Sequence, residues 1–462
     1  MKQAIYRLVY ALLTIPLLMV SVWCSIWRLF KIRHALREAE YIVVMPDGGF
    51  GHTITGPDVM RRLFHGRRLV FLIFERIHHN PHVALLWSDV LVLVLPFRWR
   101  ARILGRIHEW LSTTAARKRF AAWLIWWLKR STSATVLSLS ELYRHTEERF
   151  PVGLSGYGFD NGRQDDRVKL ILERLNTRFI CGWHKGWTQL IRDVRVPELH
   201  LPHDVRVMIR AKIERFAVRS KTGKKDKLCN LYLRRKGEGI SDKTSACRVG
   251  APFEAYLPAL RMLWDAGYLV LLTGDKVPEE RYTKELDYQV VCAPWAGVDP
   301  GLFALFAGTD AHLWIGNMGG GNVPPIPNQV PMLVVDGFPY GVGVSNAWMH
   351  YKTVRDGEGR LIDYRYLFSK HAFECDFADW TICDNSPKEI ADAVGALLQA
   401  LREPQADGQT QSAFSILPDY VMEKHLNCRL SASWLGLFEA EATVTPSHLA
   451  MAVGRGVGAC AR

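Results

Sequence analysis

The sequence predicts an α/β protein with two domains, each a parallel sheet wound by helices, preceded by an N-terminal membrane helix. Three observations support this fold class. Short apolar runs alternate with helical segments between Leu228 and Tyr340, which is typical of a parallel sheet. A similar alternation begins at Tyr41, and the uncharged stretch Leu8–Trp27 precedes both. At 462 residues the chain is long enough for a sizeable core in each domain.

The composition favours an anionic partner. The formal net charge is +13, which suits a nucleotide, an acidic lipid or a nucleic acid. Nucleic acid is not expected, because the basic residues fall in predicted loops and beside the membrane segment, without an RNA-binding aromatic–basic motif. The nine cysteines include no Cys-x-x-Cys pair, which argues against a disulfide framework or a zinc site. No metal-ligand motif is present, so no metal is expected.

The first 38 residues are predicted to form a membrane anchor with a basic flank. Leu8–Trp27 is long enough to cross a bilayer core as a helix, and a membrane helix tolerates Pro16. We favour this anchor over a buried or interfacial helix. More basic residues follow the span than precede it, which places the main body in the cytoplasm. The expected location is therefore the inner (cytoplasmic) membrane, with the catalytic domains facing the cytoplasm.

Residues 39–220 are predicted to form the first α/β domain. A strand over Tyr41–Met45 runs into a glycine-rich loop, followed by a helix to Phe64. This arrangement presents polar side chains and free amides at a sheet edge. The next strands are predicted over Leu69–Phe74 and Val90–Leu95. The loop contains an acid, three glycines and a histidine at its end: Asp47, Gly48, Gly49, Gly51 and His52.

A second segment of this domain is a candidate for membrane contact. Ala116–Arg130 has an apolar centre with three tryptophans and basic residues at both ends. It is too short to span a bilayer, but the pattern suits the headgroup level of an anionic membrane. A buried core helix explains the same pattern equally well.

Residues 221–402 are predicted to form the second α/β domain, after a hinge over Lys221–Lys227. Residues 341–383 have no clear pattern, and residues 403–440 are predicted to provide a C-terminal helix that returns to the first domain. Residues 441–462 are predicted to be a flexible tail. The alternating elements are strands over Leu228–Leu233, Tyr268–Thr273, Tyr288–Cys292, Ala311–Ile315 and Met332–Val335, and helices over Phe253–Ala266, Pro278–Leu286, Asp299–Gly308 and Pro387–Leu401.

Cations and glycines follow several of these strands. Because the carboxyl ends of parallel strands meet at one edge of a sheet, we expect these residues to converge there. Guanidinium groups bind phosphate bidentately, and glycines let backbone amides approach a ligand. A tight turn that merely requires glycine is the alternative for the glycine-rich loop alone. The candidate donor-binding residues are Arg234, Arg235, Arg248, Gly274, Asp275, Asn317, Gly319, Gly320, Gly321 and Asn322.

The segment Leu231–Gly337 resembles a family of bacterial glycosyltransferases. It has the arginine that closes the first strand, Arg234, the second arginine, Arg248, and the run Tyr-Leu-Pro-Ala-Leu at 256–260. It departs from the family where Val249 replaces a frequent Asn and Thr273 replaces a frequent Arg. The resemblance implies the glycosyltransferase B-type (GT-B) fold, in which two Rossmann-like domains face each other across a cleft. It also implies that the C-terminal domain holds the sugar nucleotide, through Arg234 and Arg248.

The loop before His52 resembles the Gly-Gly-x-Gly-Gly-His loop of membrane-associated lipid-sugar transferases of the same fold, with one glycine fewer. In that family the histidine faces the acceptor. An inverting transfer needs a base beside the acceptor hydroxyl, and histidine titrates near neutrality. His52 is therefore the first candidate base, Asp47 the second and Asp160 the third. A helix-capping role for His52 is the alternative.

The sequence therefore predicts a membrane-associated glycosyltransferase, metal-independent and inverting, that acts in polysaccharide biosynthesis of the cell envelope. The expected partners are a nucleotide-sugar donor, a lipid-linked or glycan acceptor and an anionic membrane. The nucleotide-sugar is a substrate, and no cofactor is expected. Two alternatives remain open: a sugar-nucleotide epimerase of the same fold, and a non-catalytic scaffold of polysaccharide assembly.

Overall fold

The computed structural model divides the chain into two compact units, Met1–Arg206 and Val207–Arg462. The domain limits that we expect from the sequence stay predictions. The described residues are 19–20, 22–45, 52–74, 80–95, 120–138, 187, 190–221, 225–234, 249–274, 278, 281–338, 344, 346–369, 380–403, 429–440 and 443–444.

The described strands follow the predicted order as far as Met332–Gly337, apart from Thr135–Ser138, which was not predicted. They are β1 Tyr41–Met45, β2 Leu69–Phe74, β3 Leu91–Leu95, β4 Thr135–Ser138, β5 Lys227–Leu233, β6 Tyr268–Gly274, β7 Val290–Cys292, β8 Leu313–Gly316, β9 Met332–Gly337, β10 Ala347–Tyr351, β11 Thr353–Arg355, β12 Leu361–Ile362, β13 Thr381–Cys383, β14 Arg429–Leu430 and β15 Thr443–Val444.

The α-helices lie between these strands. They are Arg33–Glu38, His52–Leu63, His203–Ala217, Leu257–Asp265, Arg281–Glu285, Ala293–Ala296, Pro300–Asp310, Tyr364–Ser369, Pro387–Arg402 and Ala432–Ala440. Residues 22–31 and 120–131 are also helical. Short 3₁₀ turns occupy Val83–Leu86, Phe253–Tyr256 and Gly320–Asn322.

The first unit contains a parallel sheet in the order β3-β2-β1-β4. Alternate strand residues such as Ile42 and Val44 point to one face, because successive side chains of a strand point to opposite sides. The two helical segments 22–38 and 120–131 cover that face and share its core. Phe74 and Phe120 meet edge to face in this core, with ring centroids 5.8 Å apart.

The predicted membrane span lies mostly outside the described residues. Within the described part of the chain, no helix is long and apolar enough to cross a membrane. The end of the span is described, and it belongs to the helix 22–31. Ser25 and Leu29 of that helix are buried, and Leu29 packs in the core of the first sheet. This end of the span therefore packs on protein along one side.

The second unit contains a seven-stranded sheet in the order β14-β10-β9-β8-β5-β6-β7. Every pair of neighbours is parallel, as the strand–helix alternation predicts. One face carries a core built with the helices Leu257–Asp265 and Pro387–Arg402. The helix Pro300–Asp310 packs against β5 and β6 but contributes nothing to that core, so it covers the other face.

The sequence interpretation of residues 341–383 was incomplete. This region contains β10, which extends the main sheet, and β11, β12 and β13, which form a small sheet with β15. Three of these strands have only two or three residues, too few for a pattern of alternation to be visible. The last described helix, Ala432–Ala440, packs on Pro387–Arg402 and β10 within the second unit.

Candidate functional site

Both sheets have a topological switch point. In the second sheet the chain runs from β5 outward through β6 to β7, and then returns to the other side of β5 to form β8 and β9. The loops after β5 and β8 therefore leave neighbouring strands in opposite directions. In open α/β sheets, the crevice that this reversal opens at the carboxyl edge is where ligands bind. Arg234 directly follows β5, and Asn317–Asn322 directly follow β8.

Tyr232, at the end of β5, explains two of the glycines in the loop after β8. A Cβ added to Gly321 would lie 2.3 Å from Cε2 of Tyr232, and one added to Gly319 would lie 3.0 Å from its hydroxyl. The Tyr232 ring stacks on Trp314, with centroids 6.1 Å apart, and the Trp314 indole donates to the carbonyl of Gly321 at 3.1 Å. The loop thus lies against an aromatic pair, and packing alone requires glycine at 321, whereas a Cβ at 319 would make a tight contact.

Asn317 fixes the position of Arg234. Its side chain is completely buried, and its Oδ1 accepts from the backbone N–H of Arg234 at 3.1 Å. Its Nδ2 donates to the Tyr256 hydroxyl at 3.2 Å and to the Val335 carbonyl at 3.3 Å. Burial raises the pKa of Tyr256 well above its usual value. These bonds occupy the Asn317 amide and position the backbone of Arg234, and direct contact of Asn317 with a donor stays a prediction.

Asp336 is a buried carboxylate behind this loop. Its Oδ2 accepts from the Ala251 amide at 2.8 Å, and its Oδ1 accepts from the Asn385 amide at 2.6 Å. Its own N–H donates to the Asn385 side chain at 2.7 Å. Burial raises the pKa of Asp336 to about 6, against the opposing effect of these bonds and of nearby Lys352. Asp336 has φ +53°, a strained left-handed backbone that this network holds in place.

The residues that flank the segment 235–248 are held close together at this edge. The amide of Gly250 donates to the carbonyl of Arg234 at 3.4 Å. Lys352 donates to the carbonyl of Val249 at 2.6 Å and pairs with Asp384. A Cβ on Gly250 would lie 2.0 Å from Nδ2 of Asn317, so this approach requires glycine. Two candidates in this segment, Arg235 and Arg248, lie outside the described residues, but their chain neighbours meet at this edge.

The remaining donor-site candidates either lie at the carboxyl edge of the second sheet or fall outside the described residues. Gly274 ends β6 with φ +121°, and a Cβ there would meet the Leu233 carbonyl at 2.0 Å. Asp275 lies outside the described residues. Gly320 begins a 3₁₀ turn, and Asn322 ends it, largely buried, with its amide bonded to the Gly319 carbonyl at 3.2 Å.

The first sheet reverses direction between β1 and β4, so its switch point adjoins the loop after β1. The helix that follows this loop begins at His52, one residue before the predicted start near Thr53, and the structure does not describe the His52 side chain. The other candidates on this side lie outside the described residues, and their roles stay predictions: Asp47, Gly48, Gly49, Gly51 and Asp160.

No metal site emerges from the part of the chain that the structure describes. Within those ranges, no group of three or more His, Cys, Asp or Glu residues could hold an ion. Independence from metal stays a prediction.

Four residues that support the loop were not among the candidates predicted from the sequence. Tyr232, Tyr256, Asp336 and Asn385 position Arg234 and the loop after β8, although none was a candidate. One signal was available: Asp336 directly follows four apolar residues at the end of a predicted buried strand. A carboxylate in that position needs hydrogen-bond donors from neighbouring segments.

The comparisons with known proteins give low similarities. No family model and no curated protein matches this chain. Similar solved structures are glycosyltransferases. A glycosyl transferase family 9 protein of Veillonella parvula DSM 2008 is 14% identical, covers 68% of this chain and 86% of its own, and has a TM-score of 0.35.

Two further similar structures are from E. coli. ADP-heptose LPS heptosyltransferase II is 12% identical over 78% of this chain and 99% of its own, with a TM-score of 0.39. Heptosyltransferase WaaC with ADP is 13% identical, covers 67% of this chain and 90% of its own, and has a TM-score of 0.34.

Proposed function

We propose that this protein is a glycosyltransferase of the GT-B type, which transfers a sugar from a nucleotide-sugar donor to a lipid-linked or glycan acceptor. One observation carries the proposal. Arg234 and the loop Asn317–Asn322 lie on neighbouring strands at the switch point of an all-parallel sheet. A cation and a glycine-rich turn at such an edge suit a diphosphate.

The chemistry follows from charge. When the sugar leaves its donor, negative charge develops on the diphosphate, and a guanidinium placed in advance stabilises that charge. Arg234 is half-buried, and Asn317 holds its backbone, so the side chain extends from a fixed point of the sheet edge. Arg235 and Arg248 are proposed to add charge from the segment that follows Arg234.

The acceptor side is proposed to lie at the switch point of the first sheet. His52 begins a helix directly after the loop that follows β1, where the sheet order reverses. It is proposed as the base that takes the proton of the acceptor hydroxyl, with inversion at the sugar and without a metal. Asp47 is the second candidate.

Membrane association is part of the proposal. The apolar stretch Leu8–Trp27 is proposed to attach the protein to the inner membrane, with both units facing the cytoplasm. This placement rests on the apolar length of the span and on its basic C-terminal flank.

A thermal-shift titration with nucleoside diphosphates tests the donor site. Arg234→Ala should weaken binding by about tenfold to a hundredfold, because a charge-assisted contact contributes about 1.5–3 kcal/mol. Arg261→Ala is the matched control, since Arg261 is exposed on the helix Leu257–Asp265. Equal affinities for the native protein and both variants would remove Arg234 from the site.

Turnover of His52→Ala tests the base. Loss of a positioned base should lower turnover by about 10²–10⁴-fold, with donor affinity unchanged. The helix-capping alternative instead expects a cost of about 1 kcal/mol in stability and near-normal turnover. If the variant folds well and keeps near-normal turnover, Asp47 becomes the candidate for the catalytic base.

A further inference from the structure

The helix 120–131 exposes an aromatic side to solvent. Its buried side carries Phe120, Leu124 and Leu128, which pack in the core of the first sheet. The opposite side carries three tryptophans, with exposed fractions of 43% for Trp123, 50% for Trp126 and 37% for Trp127. The three large tryptophan side chains therefore leave extensive apolar surface of this helix in contact with water.

The neighbouring helix 22–31 repeats this arrangement. Trp23, Trp27 and Phe30 are exposed by 69%, 54% and 55%, at spacings of four and three residues that form one stripe. Both helices cover the same face of the sheet, so both stripes lie on sides turned away from it. The two stripes together are named the aromatic surface.

Cations accompany these aromatic side chains. Arg130 lies 4.2 Å from the ring centroid of Trp126, Arg33 lies 4.3 Å from Phe30, and Lys31 lies 5.7 Å from Trp27. The segments 22–38 and 120–131 contain one acidic residue, Glu38, against six basic residues: Arg28, Lys31, Arg33, Arg37, Lys129 and Arg130. All six are exposed.

We infer that the aromatic surface docks onto an anionic lipid bilayer. Tryptophan favours the headgroup level, and each nearby lysine or arginine adds attraction to acidic lipid. A stripe at positions i, i+4 and i+7 extends about 10 Å along a helix. Its three side chains therefore enter the membrane to the same depth only when the helix axis lies parallel to the membrane. The two helices therefore lie in the interface plane, with the sheet above them. This inference does not depend on glycosyl transfer.

Hydroxyl-radical footprinting of the full chain tests whether the aromatic surface contacts the membrane. The method reports protection residue by residue, so it detects this contact even if residues 1–18 provide a separate anchor. Oxidation of Trp123, Trp126 and Trp127 is measured by mass spectrometry. The chain is compared without vesicles, on phosphatidylcholine vesicles, and on vesicles of equal phosphatidylcholine and phosphatidylglycerol. The proposal expects protection on the anionic vesicles. Val207 and Val218, which are exposed apolar residues of the second unit, should stay reactive.

A charge variant separates electrostatic attraction from anchoring. Lys129→Gln with Arg130→Gln should lower the local docking equilibrium on anionic vesicles by about 30-fold at low salt, since each cation near such a surface contributes about 1 kcal/mol. Both residues are exposed, so the melting temperature should not change. Val207→Gln with Val218→Gln is the matched control and should keep the full protection.

Three outcomes would overturn the inference. If the protein sediments with vesicles while the three tryptophans stay reactive, residues 1–18 anchor it alone. Protection without vesicles that rises with protein concentration would assign the surface to a second copy of the chain. Equal protection on neutral and anionic vesicles would refute the preference for acidic lipid.

Discussion

Gly321→Ala tests why the loop after β8 is rich in glycine. The added Cβ would lie 2.3 Å from Cε2 and 2.4 Å from Cδ2 of Tyr232, whereas comfortable carbon contacts are about 3.5–4.0 Å. Relief requires a movement of more than about 1 Å. The Tyr232 ring stacks on Trp314 and its backbone belongs to β5, so such a shift is costly. Overpacking of this kind costs about 1–3 kcal/mol.

Removal of the ring should abolish this cost. In a double-mutant cycle, Gly321→Ala should cost about 1–3 kcal/mol in the native background and little in the Tyr232→Ala background. Gly319→Ala should cost less, because its Cβ would meet the Tyr232 hydroxyl at 3.0 Å, Cε1 of Tyr232 at 3.3 Å and Cδ of Arg234 at 3.5 Å. Gly436→Ala is the control, since nothing lies within 4 Å of a Cβ there and the residue is helical.

Urea denaturation, followed by a probe in the second unit, measures each cost. A Gly321→Ala penalty that stays the same without the Tyr232 ring would refute the packing explanation. Unchanged stability with lost affinity for nucleoside diphosphates would show instead that the ligand requires the glycine.

The remaining predictions concern the buried polar residues. Asn317→Ala should cost about 2–4 kcal/mol, because it leaves the Tyr256 hydroxyl and the Arg234 N–H unpaired, and calorimetry should also show weaker binding of nucleoside diphosphates. Since burial raises the pKa of Asp336 to about 6, its contribution should favour the folded state below pH 4 and fall by about 1.4 kcal/mol per pH unit up to pH 6. Asp336→Asn should remove that slope from a melting series across this range, and an unchanged slope would contradict the raised pKa. Burial lowers the pKa of His350 to about 3, so its contribution should instead destabilise the fold as pH falls below about 6.5, and His350→Leu should remove that loss.

Five strands of the parallel sheet of the second unit, β5 to β9, were predictable because each is an apolar run, whereas β10 and β14 were not predicted. Leu228–Leu233 and Met332–Val335 stand out in the sequence, and each is followed by a turn or a helix. In contrast, β12 has two residues, and its partner β15 comes from far along the chain. Such pairings depend on tertiary contacts that leave no local periodicity.

The position of the candidate site at the carboxyl edge of the second sheet was predictable. Parallel strands bring Arg234 and the loop after β8 together, and the sequence order of strands and loops is enough to expect that. The reason for the glycines was not predictable, because Tyr232 belongs to a strand about ninety residues earlier. The same holds for Asp336, whose partners Ala251 and Asn385 come from segments on either side of it in the chain.

The fixed ends of the segment 235–248 bear on how this protein could diversify. Arg234, Gly250 and Lys352 fix both ends of the segment independently of the residues between them. Once the ends of a loop are fixed, doubling its length costs only about 0.6 kcal/mol in closure entropy. Insertions and deletions within residues 235–248 should therefore leave the sheet intact. Relatives could exchange this segment to recognise different ligands without any change in the fold.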